Sequence, residues 1–401
     1  MSKNLQNHIL ALGTLANELH MMKHQNENQD SFNILILGHA TPLPDGDCIC
    51  SANALALLLS EFFPMASVRI KFWENDNDYI DGVRYFVNDI LKDKIYIEEF
   101  GCKDRGLDGV YFKYVFVVDT DFGRTNFTGS MFEEVGRPEK VFVIDHHGPR
   151  ECADDIHPVL SYDTTCVFDN GNDEKSPSTS ELILILAVEL RRLIDAKNAS
   201  GKSCENTIPT DILVEIYKIC MGGIQTDTGG FLYEGFQLSL ESISYCLEWI
   251  PCEDWKRFQV KQENLTRMRY FQKDPNDSKV LSMLHGLVTA HDNRIGTLVV
   301  SKVDMGESAV KPITVLQDYD FDAMIAITLS KAENNNTLIK CELRSTRPSL
   351  NCRDIAKSID ETGGGHIQAA GVTIKIMDEK VDEVVENIIK KFQLEMERMM
   401  K

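Results

Sequence analysis

Three hydrophobic runs of this sequence end in residue types that can hold a metal ion. Asn33–Gly38 ("NILILG") leads to His39, Asp45 and Asp47. Tyr114–Asp119 ("YVFVVD") ends on Asp119, with Asp121 two residues on, and Val141–Asp145 ("VFVID") ends on Asp145, followed by His146 and His147. A fourth cluster, "GGIQTDTGGF" from Gly222 to Phe231, places Asp227 in a glycine-flanked loop after an apolar helix, where the chain could approach an ion closely. Taken singly, an Asp at a strand end is more often a turn or a helix cap, and that is the commoner role for Asp47 or Asp121 alone. Four clusters of one chemistry in one half of the chain need a shared explanation. Carboxylates brought together repel, and burying them is costly unless positive charge joins them. Divalent cations would resolve that cost. An oxygen-rich ligand set with some imidazole suits manganese or magnesium, whereas zinc usually takes more His or Cys.

The runs that deliver these groups are continuous and β-branched rather than alternating, as strands covered on both faces are. The chain therefore reads as α/β: a parallel sheet with helices on both faces, whose strand carboxyl ends face one crevice. "VRIKFW" (Val68–Trp73) adds a strand and Asp47–Phe63 a helix. Helical patterns follow at Ser180–Ala196, Asp211–Met221, Ser239–Trp249 and Asp254–Tyr270, with polar loops at Asp169–Ser180 and Lys197–Asp211. Gln272–Lys279 is a turn-rich linker. Beyond it "VLSMLHGLVTA", "IGTLVVSK", "AMIAITLS" and "TLIKCELRS" read as strands, and Asp378–Met400 as a closing helix. The expected organisation is a domain over residues 1–271 with an amphipathic N-terminal helix, a linker at 272–279, and a smaller α/β domain over 280–401.

Composition narrows the function. The 401 residues carry 62 acidic against 42 basic side chains, a formal charge of -20. Such a surface does not grip long nucleic acid by its backbone, which takes basic residues to displace counterions. Small phosphorylated substrates, held by local metals or arginines, remain compatible. The 11 cysteines contain no CxxC pair and suit a reducing compartment. No apolar run approaches the roughly 20 residues of a membrane span. "HILALGTLA" reads as part of an amphipathic helix rather than a signal core. A cytoplasmic protein without membrane contact is the expectation.

In chain order, "GHATPLPDGDCICSA", "VVDTD", "VIDHH" and "GIQTDTGGF" resemble the four motifs of the DHH phosphoesterase superfamily. "LRSTR" (Leu343–Arg347) and "TGGGHIQAAG" (Thr362–Gly371) resemble the DHH-associated C-terminal domain of RecJ-like nucleases, nano-RNases that also dephosphorylate phosphoadenosine phosphate, and cyclic-di-AMP phosphodiesterases. The resemblance implies a hydrolase with two manganese ions, magnesium being the alternative. His39, Asp45 and Asp119 would hold one ion; Asp47, Asp119, His146 and Asp227 would hold the other. Asp145 would orient a metal-bound histidine, and His147 would face the substrate phosphate. In the second domain, Arg344, Ser345, the amides of Gly363, Gly364 and Gly365, and His366 would bind substrate. Five residues, Ala40 to Pro44, separate His39 from Asp45, where the family usually has three. The segment "GDCICSA" closely resembles the soluble inorganic pyrophosphatase branch.

The expected activity is manganese-dependent hydrolysis of short oligoribonucleotides or small phosphorylated nucleotides such as phosphoadenosine phosphate, with no long duplex as substrate. The alternatives are a cyclic dinucleotide phosphodiesterase, a pyrophosphate or polyphosphate hydrolase, and a non-catalytic nucleotide-binding scaffold. Family members often dimerise, so a homodimer is a further expectation.

Overall fold

A computed structural model describes residues 1–26, 31–38, 45–72, 87, 90, 109–120, 136–146, 164–168, 178–201, 206–228, 236–250, 258–259, 277–291, 294–306, 308, 310–332, 335–347, 349–365 and 367–400. His39, Asp121, His147 and His366 lie outside them, as does nearly all of the helix expected at Asp254–Tyr270. The chain divides into two compact units, Met1–Gly230 with Gly235–Met268, and Phe231–Glu234 with Arg269–Lys401.

The first unit opens with the expected amphipathic helix, α1 (Lys3–Asn26), which buries Leu5, Leu12, Leu15, Leu19 and Met22 along one face. Then come β1 (Phe32–Leu37), α2 (Gly46–Phe62), β2 (Ala66–Lys71), β3 (Tyr114–Val118), β4 (Lys140–Asp145), β5 (Thr164–Phe168), α3 (Thr179–Ala199), α4 (Thr210–Asp227) and α5 (Phe236–Trp249). The strands form one sheet in the order β2-β1-β3-β4-β5, every pairing parallel. Each residue of β3 is buried, so both faces of the sheet are covered there. Phe116 of β3 stacks on Phe142 of β4, ring centroids 4.6 Å apart. The strand order reverses between β1 and β3, the place where open parallel sheets form their binding crevice.

In this unit β5 and α4 differ from the sequence reading. β5 is a strand that the reading did not include. Helix α4 does not stop at Met221 but continues through Gly222 and Gly223 to end on Asp227, so that Asp227 is not in a loop. Glycine usually weakens a helix interior, by roughly 1 kcal/mol against Ala. Here packing overrides propensity: a Cβ on Gly223 would lie 2.0 Å from Ser180 Oγ and 2.7 Å from Asp47 Oδ1. Gly46, at the start of α2, makes room in the same way for Thr226 of α4.

In the second unit, α6 (Asp277–Gly286) leads to β6 (Thr289–His291), β7 (Ile295–Ser301), α7 (Lys302–Met305), α8 (Pro312–Leu316), β8 (Ala323–Ala332), β9 (Asn336–Ser345), α9 (Cys352–Ile359), β10 (Gly364–Gly365), β11 (Ala369–Met377) and α10 (Val381–Met400). The sheet order is β10-β11-β9-β8-β7-β6, antiparallel except for β7 beside β8. Alternate residues of β8 feed two cores. Ala323, Ile325 and Ile327 pack with Ile355 of α9 and Phe392 of α10; Met324 and Ala326 pack with Leu284 of α6 and Ile313 of α8. The expected strand over "VLSMLHGLVTA" is mostly helix: Val280, Leu281 and Leu284 recur at helical spacing against that second core, and only Thr289–His291 pairs as a strand. The last three residues of the expected linker, Asp277 to Lys279, belong to the same helix.

Gly223→Ala should destabilise the protein by about 1–3 kcal/mol through overpacking at the start of α3. A lowered urea midpoint in equilibrium unfolding checks this; an unchanged midpoint would show that Ser180 and Asp47 yield freely.

Candidate metal centre

The two acids of "DGD" have different duties. Asp45 is the N-cap of α2, and its carboxylate accepts the N–H groups of Asp47 at 3.1 Å and Cys48 at 3.0 Å. This is the role that fits Asp at a helix start. Asp47, two residues later, is fully buried and reaches across to another helix. Its Oδ2 accepts the N–H of Thr179 at 2.6 Å and its Oδ1 the N–H of Ser180 at 2.9 Å. Those are the first amides of α3, which have no partner within their own helix. The partial positive charge of a helix N-terminus favours a carboxylate there. Helix α3 has its own cap, Ser178, whose hydroxyl accepts the N–H of Glu181 at 3.2 Å.

Asp119 follows β3 directly and takes a left-handed backbone, φ 60°. Asp tolerates that region better than most residues. Its N–H donates to Ile144 O at 3.0 Å, and its Oδ1 accepts the Thr179 hydroxyl at 3.0 Å. Asp145 closes β4 and is buried. Next to it, His146 sets Nε2 3.4 Å from Asp119 Oδ1 and 3.2 Å from Asp227 Oδ2. Its backbone N–H points to the Thr179 hydroxyl oxygen at 3.3 Å. Asp47, Asp119 and His146 each offer a ligand atom, all within 4.8 Å of one another.

The charge balance of this cluster is unfavourable by itself. Burial raises the Asp47 carboxyl above the usual range, against the pull of His146. Burial, followed by Asp47, Asp45, Asp227 and Asp145, drives Asp119 well above it. Burial and Asp47 bring Asp227 up to about 7, although His146 opposes them. Burial disfavours a charged His146, but its bond to Asp227 and the surrounding acids prevail and lift it to about 10. Protons therefore collect where the acids converge. A divalent cation would do the same work with more charge, so the residues present fit one.

The sequence reading missed the start of α3. Ser178, Thr179 and Ser180 stood at the edge of a polar loop, yet all three are buried. The signal that marks them is Ser178-x-x-Glu181 ahead of an apolar run, the pattern of a capping box. Glu181 does not complete that box; its carboxylate accepts the hydroxyls of Ser239 and Ser242 on α5 at 2.9 and 2.6 Å.

In the second unit, Arg344 lies on the half-buried face of β9 and donates through Nη1 to Leu343 O at 2.9 Å. Burial would raise the carboxyl of neighbouring Glu342, but Lys340, Lys311 and Arg344 together hold it below its usual range. Ser345 does not fit a substrate contact. It is fully buried, with its hydroxyl 2.8 Å from Arg347 O and accepting the Arg347 N–H at 3.0 Å. The amide of Gly363 is likewise engaged, donating to Asp360 O at 2.9 Å. A Cβ on Gly363 would meet the backbone of Ala356 at 2.4 Å, so this glycine lets the segment close on α9. Gly364 has open space beside it and pairs with Gly371. Gly365 pairs with Ala370, and its carbonyl accepts Arg353 Nε at 2.5 Å.

Residues 33–223 match the DHH family N-terminal domain, and residues 296–394 match the DHHA1 domain. An exopolyphosphatase-related protein from Bacteroides fragilis shares the fold: it is 18% identical, with a TM-score of 0.56, over 94% of this chain and 97% of that one. The DHH domain of a member of one family of ribosomal proteins is 16% identical, over 98% of this chain and 92% of that one, with a TM-score of 0.49. Among curated proteins none matches the chain.

The raised Asp227 carboxyl and His146 imidazole make the stability of the metal-free protein depend on pH. Asp227 is raised to about 7 and His146 to about 10, so the folded state holds protons that the unfolded chain releases. Stability is then greatest at the acid side of these windows. It falls as pH rises through about 7 for Asp227 and on through about 10 for His146. Urea midpoints from about pH 5 to 10 should decline in the chelated wild type, and the decline should flatten in Asp227→Asn. A slope unchanged by that substitution would contradict the assignment.

Proposed function

The chain belongs to the DHH superfamily of phosphoesterases and carries its DHHA1 domain, and on that premise we propose that it hydrolyses short oligoribonucleotides or small phosphorylated nucleotides with manganese. The observation that carries this reading is the close set of buried Asp47, in the first turn of α2, with buried Asp119 and half-buried His146 at the carboxyl ends of neighbouring strands. These residues would hold the cation, with Asp227 Oδ2 3.2 Å from the same imidazole. When bound, divalent cations of this kind polarise phosphoryl oxygens and acidify water at neutral pH. The protein's share is to supply the ligands from rigid elements and to keep their surroundings dry. Asp145, buried beside His146, is suited to orienting it. Arg344 and the open Gly364 are our candidates for substrate contacts. The formal charge of -20 favours a small substrate over a long duplex. Among the described residues no helix is long and apolar enough to cross a membrane.

The test is a substrate panel offered with manganese: phosphoadenosine phosphate, a dinucleotide, a longer RNA, cyclic-di-AMP and pyrophosphate. Turnover of the first two, ahead of the rest, is expected. Preference for cyclic-di-AMP or pyrophosphate would move the assignment to those branches, and nucleotide binding without turnover would leave a scaffold. Asp119→Ala and His146→Ala should each lose activity and manganese binding together, by more than the roughly 100-fold that outer-layer partners of a metal typically cost. Full activity in either would sink the metal assignment. Arg344→Ala should raise KM for nucleotides and leave manganese affinity alone; an unchanged KM would remove Arg344 from the substrate site.

A further inference from the structure

Helix α3 begins with an arrangement that its own capping does not explain. Ser178 already caps the helix through its hydroxyl. The hydroxyl of Thr179, the first helical residue, is turned away from that task and donates to Asp119 Oδ1 at 3.0 Å. The same oxygen lies 3.3 Å from the backbone N–H of His146. The N–H of Thr179 donates to Asp47 Oδ2 at 2.6 Å. One fully buried residue thus touches all three members of the candidate centre, of which Asp47 lies on α2 and Asp119 and His146 directly follow β3 and β4.

We propose that Thr179 is the positioning residue of this centre, setting the orientations of Asp47 and Asp119 and holding the backbone of His146 so that the three can share one cation. The inference rests on the metal-dependent hydrolase reading above. The chemistry is specific. Thr179 N and Ser180 N grip the two oxygens of Asp47, one each, and so fix the plane of the carboxylate. A carboxylate oxygen has a second lone pair, so these bonds leave capacity for an ion. The Thr179 hydroxyl takes one acceptor site on Asp119 and sets that side chain's rotation in the same way. A β-branched side chain in a helix has few χ1 choices, so the hydroxyl is held in place by its own backbone. Ser180 cannot substitute: the contacts of its amide and hydroxyl run to Asp47, with none to Asp119 or His146 among the hydrogen bonds described.

The experiment measures binding of manganese alone to the full chain by titration calorimetry, with the urea midpoint of the chelated protein recorded for each variant. Thr179→Val keeps the shape and removes the hydroxyl. It should weaken manganese binding by about 10–100-fold, the usual cost of losing a partner behind a metal ligand. Thr179→Ser restores the hydroxyl and should recover affinity to within a few-fold. If Thr179→Val does not fold, Thr179→Ala carries the same expectation. Wild-type affinity in a folded Val or Ala variant, or a Ser variant as weak as Val, would overturn the positioning role and leave the hydrolase reading standing. A wild-type chain that binds no manganese would instead overturn both.

Discussion

Like charges gathered in a dry place are the constraint on which the first unit turns. Two carboxylates about 4 Å apart cost about 4 kcal/mol at the effective dielectric usual for proteins. A hydrogen bond to a charged group offsets about 1.5–3 kcal/mol. No single bond can therefore hold Asp47 and Asp119 together, and the fold answers with several sources of positive charge. The N-terminal amides of α3 meet Asp47, the Thr179 hydroxyl meets Asp119, and His146 stands between Asp119 and Asp227. The topology makes this affordable, because the strand-order reversal between β1 and β3 opens the crevice at which these groups arrive.

How much of this could be read beforehand depends on where the information sits. Strands β1, β3 and β4 are continuous apolar runs, and the residues at their ends follow from counting. The acids of "DGD" are chemically alike, so sequence cannot tell which one caps α2 and which one crosses to α3; only the helix start decides that. Thr179 is invisible for a related reason. Its partners lie 60 and 132 positions away along the chain, and "STS" in isolation looks like a loop. Gly222 and Gly223 suggest the end of a helix, yet α4 runs through them, because close packing at Gly223 decides the matter and propensity does not. The strand expected at "VLSMLHGLVTA" failed because a short apolar run carries little periodic information.

The second unit shows how a motif divides between fold and function. Its sheet is covered on both faces, so side chains at the end of β9 are drawn into packing as readily as toward solvent. Ser345 ties the chain after β9 to Arg347, and Gly363 allows the glycine segment to rest on α9. Those letters of "LRSTR" and "TGGGH" are explained by packing alone. The other letters are engaged differently: Arg344 lies on the half-buried face of β9 and Gly364 has open space beside it.

The left-handed backbone at Asp119 reaches beyond the folded molecule to the routes by which the gene could drift. Asn and Gly fit such a conformation with little strain, but neither brings a charge. Glu brings the charge, but it lacks the short side chain that makes Asp comfortable there and would carry its carboxylate one methylene too far. Of the residues at home in that region, Asp is the one that brings a carboxylate, so position 119 ties backbone shape to charge: a replacement that keeps the turn gives up the acid, and one that keeps the acid strains the turn.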